Sequence, residues 1–254
     1  MRSYIGNEAA YAALLTAVKR REPFSIIRLG DGEGIVLRFP DVQRDLIEFI
    51  TTMWFGDHKV TDAEVTDIRD HLAAGIAEAS MVGLPNHDQI TSSKAAQWRL
   101  VYEYIDTKPE FQSMTPASHM LHIWMHDEML LDELIALAPA VTLLTCRSLS
   151  PRFEETFKTE TPRTILIPEE AHYSKDKPNL KRHYPDRYLQ IMQSGELTPR
   201  VPGELFLVGG GVLGKIYCAE IKRRGGVAID IGSVFDMWGY IGARGSVKQA
   251  RRGM

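Results

Sequence analysis

The chain has 254 residues, 44% of them hydrophobic, enough to bury a core in one large domain or two small ones. Its 30 basic and 33 acidic side chains leave a net charge of −3, unlike the clustered positive surface of a nucleic-acid binder, and the basic run from Arg244 to Arg252 reads as a solvated end. No apolar run reaches the ~20 residues that cross a bilayer, the N-terminal stretch reads as mature sequence, and Cys146 and Cys218, without CxxC spacing, read as reduced, buried thiols of a cytoplasmic protein.

Good helix formers with apolar residues at helical spacing predict a helix over residues 8–20, followed by a short strand, FSIIRL, that ends in GDGEG. Asp41 to Trp54 carries Val42, Leu46, Phe49, Ile50 and Met53 on one face and reads as a helix. Thr61 and Glu64 have the spacing of a capping box, opening a helix with Val65, Ile68, Leu72 and Ile76 on one side. MVGLP is a brief strand, and Ser92 to Ile105 and Glu128 to Leu137 are helices.

From Val141 strands and helices alternate: VTLLTC, a short helix near Pro151 to Phe157, RTILIP, a helix opened by Pro185, LFLVG, a glycine turn, a helix from Val212 to Arg224, and VAIDIG. That alternation predicts an α/β fold of Rossmann-like type, with a parallel or mixed sheet covered by helices on both faces. No repeat or linker divides the chain. One domain over residues 1–254 is expected, with a nucleotide-binding βαβ unit over 204–236. The polar, basic and aromatic segment from Tyr173 to Tyr188 reads as a loop.

The stretch LVGGGVLGKI matches both the dinucleotide fingerprint, through Gly209, Gly211 and Gly214, and most of a P-loop ending at Lys215. Between a strand and a helix, such glycines either admit a phosphate to free helix amides or simply allow close packing. Ile216 stands where a P-loop needs a hydroxyl for magnesium, which argues against an ATPase. Asp230 stands near the place of a ribose-binding acid, yet the fingerprint comes too late in the chain for a standard dehydrogenase.

In IIRLGDGEG, Asp31 and Glu33 lie one residue apart on a glycine-rich turn, the spacing of a hard-cation site that phosphate oxygens complete. Arg28, just before them, can pair with a phosphate or hold a carboxylate. His119, His122 and His126 would share one face of a helix, either as a zinc site or as the polar edge of a packed surface. PEEAHY, from Pro168, follows a strand, so Glu169, Glu170 and His172 are candidates for contacts to substrate.

Taken together, Arg28-Leu29-Gly30-Asp31-Gly32-Glu33, the turn Gly209-Gly210-Gly211 with Gly214, and Ala228-Ile229-Asp230-Ile231-Gly232 resemble the motifs of the GT-D glycosyltransferases, a bacterial family. The resemblance runs from about Phe24 to Asp236. It implies a GT-D type fold, a nucleoside-diphosphate sugar donor, with a UDP-sugar favoured, and a divalent metal, manganese or magnesium, near Asp31 and Glu33. Where the family tends to place a histidine after the I-D-I-G stretch, this chain has Ser233, and Asp236 stands for the acid that follows.

Asp31 and Glu33 are then expected to hold the metal, directly or through waters. Arg28, Gly30, Gly210, Gly211, Gly214, Lys215, Asp230 and Ser233 bind the nucleotide, with Lys215 and the amides receiving phosphate oxygens and Asp230 a ribose hydroxyl. Asp236, or else Glu170, takes the proton from an acceptor hydroxyl, expected to belong to a glycan. The rival readings are an NAD-dependent oxidoreductase and a non-catalytic nucleotide-binding or interaction module.

Overall fold

A computed structural model describes residues 3–56, 58–85, 95–149, 162–170 and 182–239. Seven strands form one sheet in the order β3-β2-β1-β7-β6-β4-β5. They are β1 Phe24–Arg28, β2 Met81–Leu84, β3 Pro116–Ser118, β4 Val141–Thr145, β5 Arg163–Leu166, β6 Leu205–Val208 and β7 Val227–Asp230. All pairings are parallel, which settles the choice between a parallel and a mixed sheet.

Alternation along each strand divides two cores. Ile27, Leu29, Phe206 and Val208 face one layer, while Ile26, Leu205, Leu207 and Ile229 face the other. On the first face lie α2 Asp31–Leu37, α3 Arg44–Phe55, α4 Asp62–Glu78, α5 Ala95–Asp106 and, after β6, the helix Gly211–Arg223. The second face carries α1 Asn7–Arg20, α6 Leu121–Asp127, α7 Leu130–Leu137 and the short helix Val234–Trp238 after β7. Between β5 and β6, α8 Tyr188–Gln193 continues a π-type turn over His183–Arg187; the remaining two helices are therefore α9 (Gly211–Arg223) and α10 (Val234–Trp238). Strands covered on both sides become almost continuously apolar, as β1, β4, β6 and β7 are.

Most elements match the pattern of the sequence, and the Thr61–Glu64 capping box forms, with the Thr61 amide donating to Glu64 at 2.7 Å. Four details differ. The helix expected from Asp41 begins at Arg44, and the one expected from Glu128 begins at Leu130 after Met129 in the left-handed region. β3, a three-residue edge strand opened by Pro116, where the missing N–H is tolerated, was not anticipated. Most consequentially, GDGEG is not an open turn: Gly30 caps α2, and Glu33 reaches back to accept the Gly30 amide at 2.8 Å, closing the first helical turn. The helix expected near Pro151 to Phe157, most of the loop from Tyr173 and the tail from Arg244 lie outside the described residues.

Candidate functional site

In a parallel sheet, ligands bind beyond the carboxyl ends of the strands. Here the ends of β1, β7, β6 and β4 surround a cavity of about 410 Å³. Of the residues assigned to the metal, the nucleotide and the acceptor base from the sequence, all but Gly210 and Gly214 line it: Arg28, Gly30, Asp31, Glu33, Glu170, Gly211, Lys215, Asp230, Ser233 and Asp236.

Its floor is a buried network of four charges. Arg28, at the end of β1, donates from Nε to the Asp230 carbonyl at 3.0 Å and from Nη2 to Asp230 Oδ1 at 3.2 Å. Lys215 Nζ, one turn into α9, lies 2.8 Å from Glu33 Oε1 and 3.0 Å from Asp230 Oδ2, and donates to the Gly211 carbonyl at 3.0 Å. Burial by itself would raise the Asp230 carboxyl, but the Arg28 and Lys215 cations outweigh it and hold the group below its usual range. Burial likewise opposes the charge on Lys215, and Asp230 with Glu33 overcomes it, raising the ammonium pKa.

These contacts give three residues a place in the floor. Lys215 is drawn inward by two carboxylates, because a buried ammonium requires partners. Asp230 is enclosed between two cations. Glu33 uses one oxygen on Lys215 and the other on Gly30, so it anchors α2. Asp31 differs: it is half-exposed, lines the cavity and begins α2, where a carboxylate can receive a cation alongside phosphate oxygens. Among the described residues no group of three His, Cys, Asp or Glu is disposed around a common metal position.

Glycines make the floor possible. At Gly232, with φ +45°, a Cβ would stand 2.3 Å from Arg28 Nη2, so the guanidinium occupies the space of the absent side chain. The two signature stretches thus interlock: the arginine of the first fills the glycine of the second. Trp54, from α3, does the same on the other side. A Cβ on Gly32 would meet its indole at 2.2 Å and one on Gly211, at φ +55°, at 3.1 Å. The glycine turn therefore serves close packing at two helix starts, with Trp54 over it. Gly214 packs on Val208 and its amide donates to the Gly210 carbonyl at 3.0 Å, so neither Gly210 nor Gly214 faces the cavity.

At the opposite edge, Arg147 follows β4 and donates from Nε to Asp236 Oδ1 at 2.8 Å, with Glu169 3.9 Å from Nη1. Burial opposes its charge, and Asp236 restores it, so the guanidinium remains a cation beside the cavity. Sequence reading passed over Arg147, although a basic residue directly after a buried strand is a signal that can be read. Ser233 precedes α10, which carries Asp236. Cys146 is half-buried and pushed up to about 11 by burial, so it is a thiol and not a nucleophilic thiolate; Cys218 is buried, and both are free.

The three histidines do not share a helix face. His119 precedes α6 and lines the cavity with His122, whose ring contacts Arg28 Nη1 at 2.8 Å, whereas His126 is buried beside Asp127. Burial and then Arg28 push His122 well below its usual range and His119 down to about 3, so both are neutral imidazoles, and a zinc site across the three has no geometric basis. His172 lies outside the described residues.

A family model described as a GT-D fold-like domain matches residues 5–174, two thirds of the chain. The match includes the GDGE stretch and stops before β6. No curated protein matches the chain. Two solved structures are similar at 14% identity. One, described as the selenomethionine-substituted structure of domain of unknown function 1792, covers 92% of this chain and 79% of its own with a TM-score of 0.53, and shows a shared fold. The other, described as the highly conserved domain of unknown function 1792 with a distinct glycosyltransferase fold, covers 91% and 78% with a TM-score of 0.47.

Proposed function

Because the chain belongs to the GT-D-like family, we propose that it is a glycosyltransferase that moves a sugar from a nucleoside diphosphate, UDP before others, to a hydroxyl of a glycan acceptor. The observation that carries this reading is a cavity in which the segments after β1, β4, β5 and β7 gather Asp31, Arg147, Glu170 and Asp236 over a charge-balanced floor.

Transfer leaves negative charge on the departing diphosphate, and donors fixed in place stabilise that charge without reorganising. Arg147 supplies the cation at the cavity wall. Arg28 and Lys215 act from beneath, their charges shared with Asp230 and Glu33. Asp31 would hold a divalent cation together with phosphate oxygens, and a bound metal neutralises charge on the leaving group. Glu33 and Lys215 keep the start of α2 in register with α9, so that Asp31 is presented at a fixed place. Asp236 accepts the proton of the acceptor hydroxyl, with Glu170, on the same cavity, as the alternative base. No described helix is long and apolar enough to cross a membrane, and the two free thiols fit a reducing, cytoplasmic setting.

Thermal unfolding with UDP, GDP, CMP, ADP and NAD, each with and without manganese, tests the reading. A ligand at about 100 times its dissociation constant adds about 2.7 kcal/mol, roughly 5–10 °C for a chain of this size. Stabilisation by one nucleoside diphosphate that depends on manganese and vanishes in Asp31→Ala is the expected result. NAD alone raising Tm would favour an oxidoreductase, and no shift with any ligand would favour an interaction module.

A further inference from the structure

The wall that faces the charged floor is of another kind. It is made by Trp98 of α5, His119 after β3, and Met120 and Ile123 at the start of α6. His119 is held by its backbone, its amide donating to the Leu84 carbonyl at 2.9 Å. Its ring stands 5.7 Å from that of Trp98 and 6.2 Å from that of His122. Both imidazole nitrogens of His119 and the indole Nε1 of Trp98 are buried without a hydrogen-bond partner.

Buried polar atoms left unpaired lower stability, and most native structures pair them. Three such atoms on one cavity wall are explained if a ligand brings their partners. Its chemistry follows from theirs. A neutral imidazole has one donor and one acceptor in either tautomer, and the indole adds a donor. An ionised phosphate only accepts, so it would leave one imidazole nitrogen unpaired. A sugar hydroxyl donates and accepts, and the carbon face of a sugar ring packs on an indole. Position agrees: His119 Nε2 comes within 3.6 Å of the place a Cβ on Gly30 would take, next to Asp31, where the diphosphate end of the donor belongs.

We propose that His119 and Trp98 bind the transferred sugar of the donor, through hydroxyl hydrogen bonds to His119 and to Trp98 Nε1, with the indole as a packing face. This rests on the donor reading above. The neutrality of His119, whose pKa burial lowers to about 3, keeps one nitrogen as an acceptor throughout the physiological range.

The test is calorimetric titration of the full chain, wild type, His119→Phe and Trp98→Phe, with UDP, UDP-glucose, GDP and GDP-mannose in the presence of manganese. The wild type is expected to bind one conjugate more tightly than its free diphosphate. Both variants should lose about tenfold of that preference, the scale of one hydrogen bond, and bind the free diphosphate as the wild type does. His119→Phe, which removes unpaired nitrogens, is also expected to melt at a higher temperature. Should it fail to fold, Trp98→Phe carries the test. Variants that bind the conjugate as tightly as the wild type overturn the sugar wall, as does a wild type that binds conjugate and diphosphate equally. Weakened binding of the free diphosphate assigns the wall to the nucleotide and overturns the proposal as well. A wild type that binds none of the four overturns the donor reading itself.

Discussion

The floor and the neutral wall of the cavity treat polar burial in opposite ways. On the floor, Arg28, Lys215, Glu33 and Asp230 are almost wholly buried, and each charge meets an opposite one within about 3 Å. On the wall, His119 and Trp98 bury polar atoms with nothing to meet them. A closed network gives α2, α9 and the sheet a fixed relation to one another, whereas an open one leaves bonding capacity for something else. The contrast separates residues that build the site from residues that meet a ligand, although both kinds carry chemistry-bearing side chains.

The largest expected effect comes from breaking the floor. Lys215→Met leaves Glu33 and Asp230 with one fewer cation in a buried place and should cost about 3–5 kcal/mol, on the order of 10 °C in Tm. Glu33→Gln combined with Lys215→Met should cost less than the sum of the two single changes, because the pair is removed together. Additive losses in chemical denaturation would mean that the network is not coupled.

Next comes the interlock of the two signature stretches. Gly232→Ala places a methyl group against Arg28 Nη2 at a left-handed backbone position, and should cost on the order of 2 kcal/mol. A midpoint of urea unfolding equal to that of the wild type would show that Arg28 has room elsewhere.

The effect that is smallest at neutral pH, and grows only on acidification, sharpens the comparison on the side of the wall. Folding keeps His119 and His183 neutral down to about pH 3 and His122 neutral to well below its usual range, while the unfolded chain protonates all three near pH 6.5. Between those limits the unfolded state binds more protons, so stability falls as pH falls from about 6.5 toward 3, by up to roughly 1.4 kcal/mol per pH unit for each histidine. His119→Phe should remove one such contribution and flatten the acid limb of the stability curve. An unchanged slope would place a charged imidazole in the folded cavity.

Where sequence and structure agree, the physics is local. Strands and helices from Val141 onward were legible because periodicity and turn residues act over a few positions, and the GDGE and glycine stretches were legible because each is a strand-to-helix transition. What escaped was long-range or very short. β3 has three residues and no period to display, so the placement of His119 could not be foreseen. Trp54 entered the sequence reading only as the last residue of a predicted helix, although it covers both glycine turns. Arg28 and Asp230 are separated by 202 positions in the chain, and only β1 lying beside β7 brings them together.

Composition, periodicity and turn chemistry by themselves determined that this is an α/β chain with helices on both faces of a parallel or mixed sheet, and pointed to most residues of the cavity. Tertiary structure alone decided how those residues are engaged: which carboxylates are paired with a buried cation, which stays half-exposed at the cavity, and which histidine is left unpaired. The reason is that a side chain's hydrogen-bonding capacity belongs to its type, while whether that capacity is spent depends on neighbours that the fold brings from distant parts of the chain.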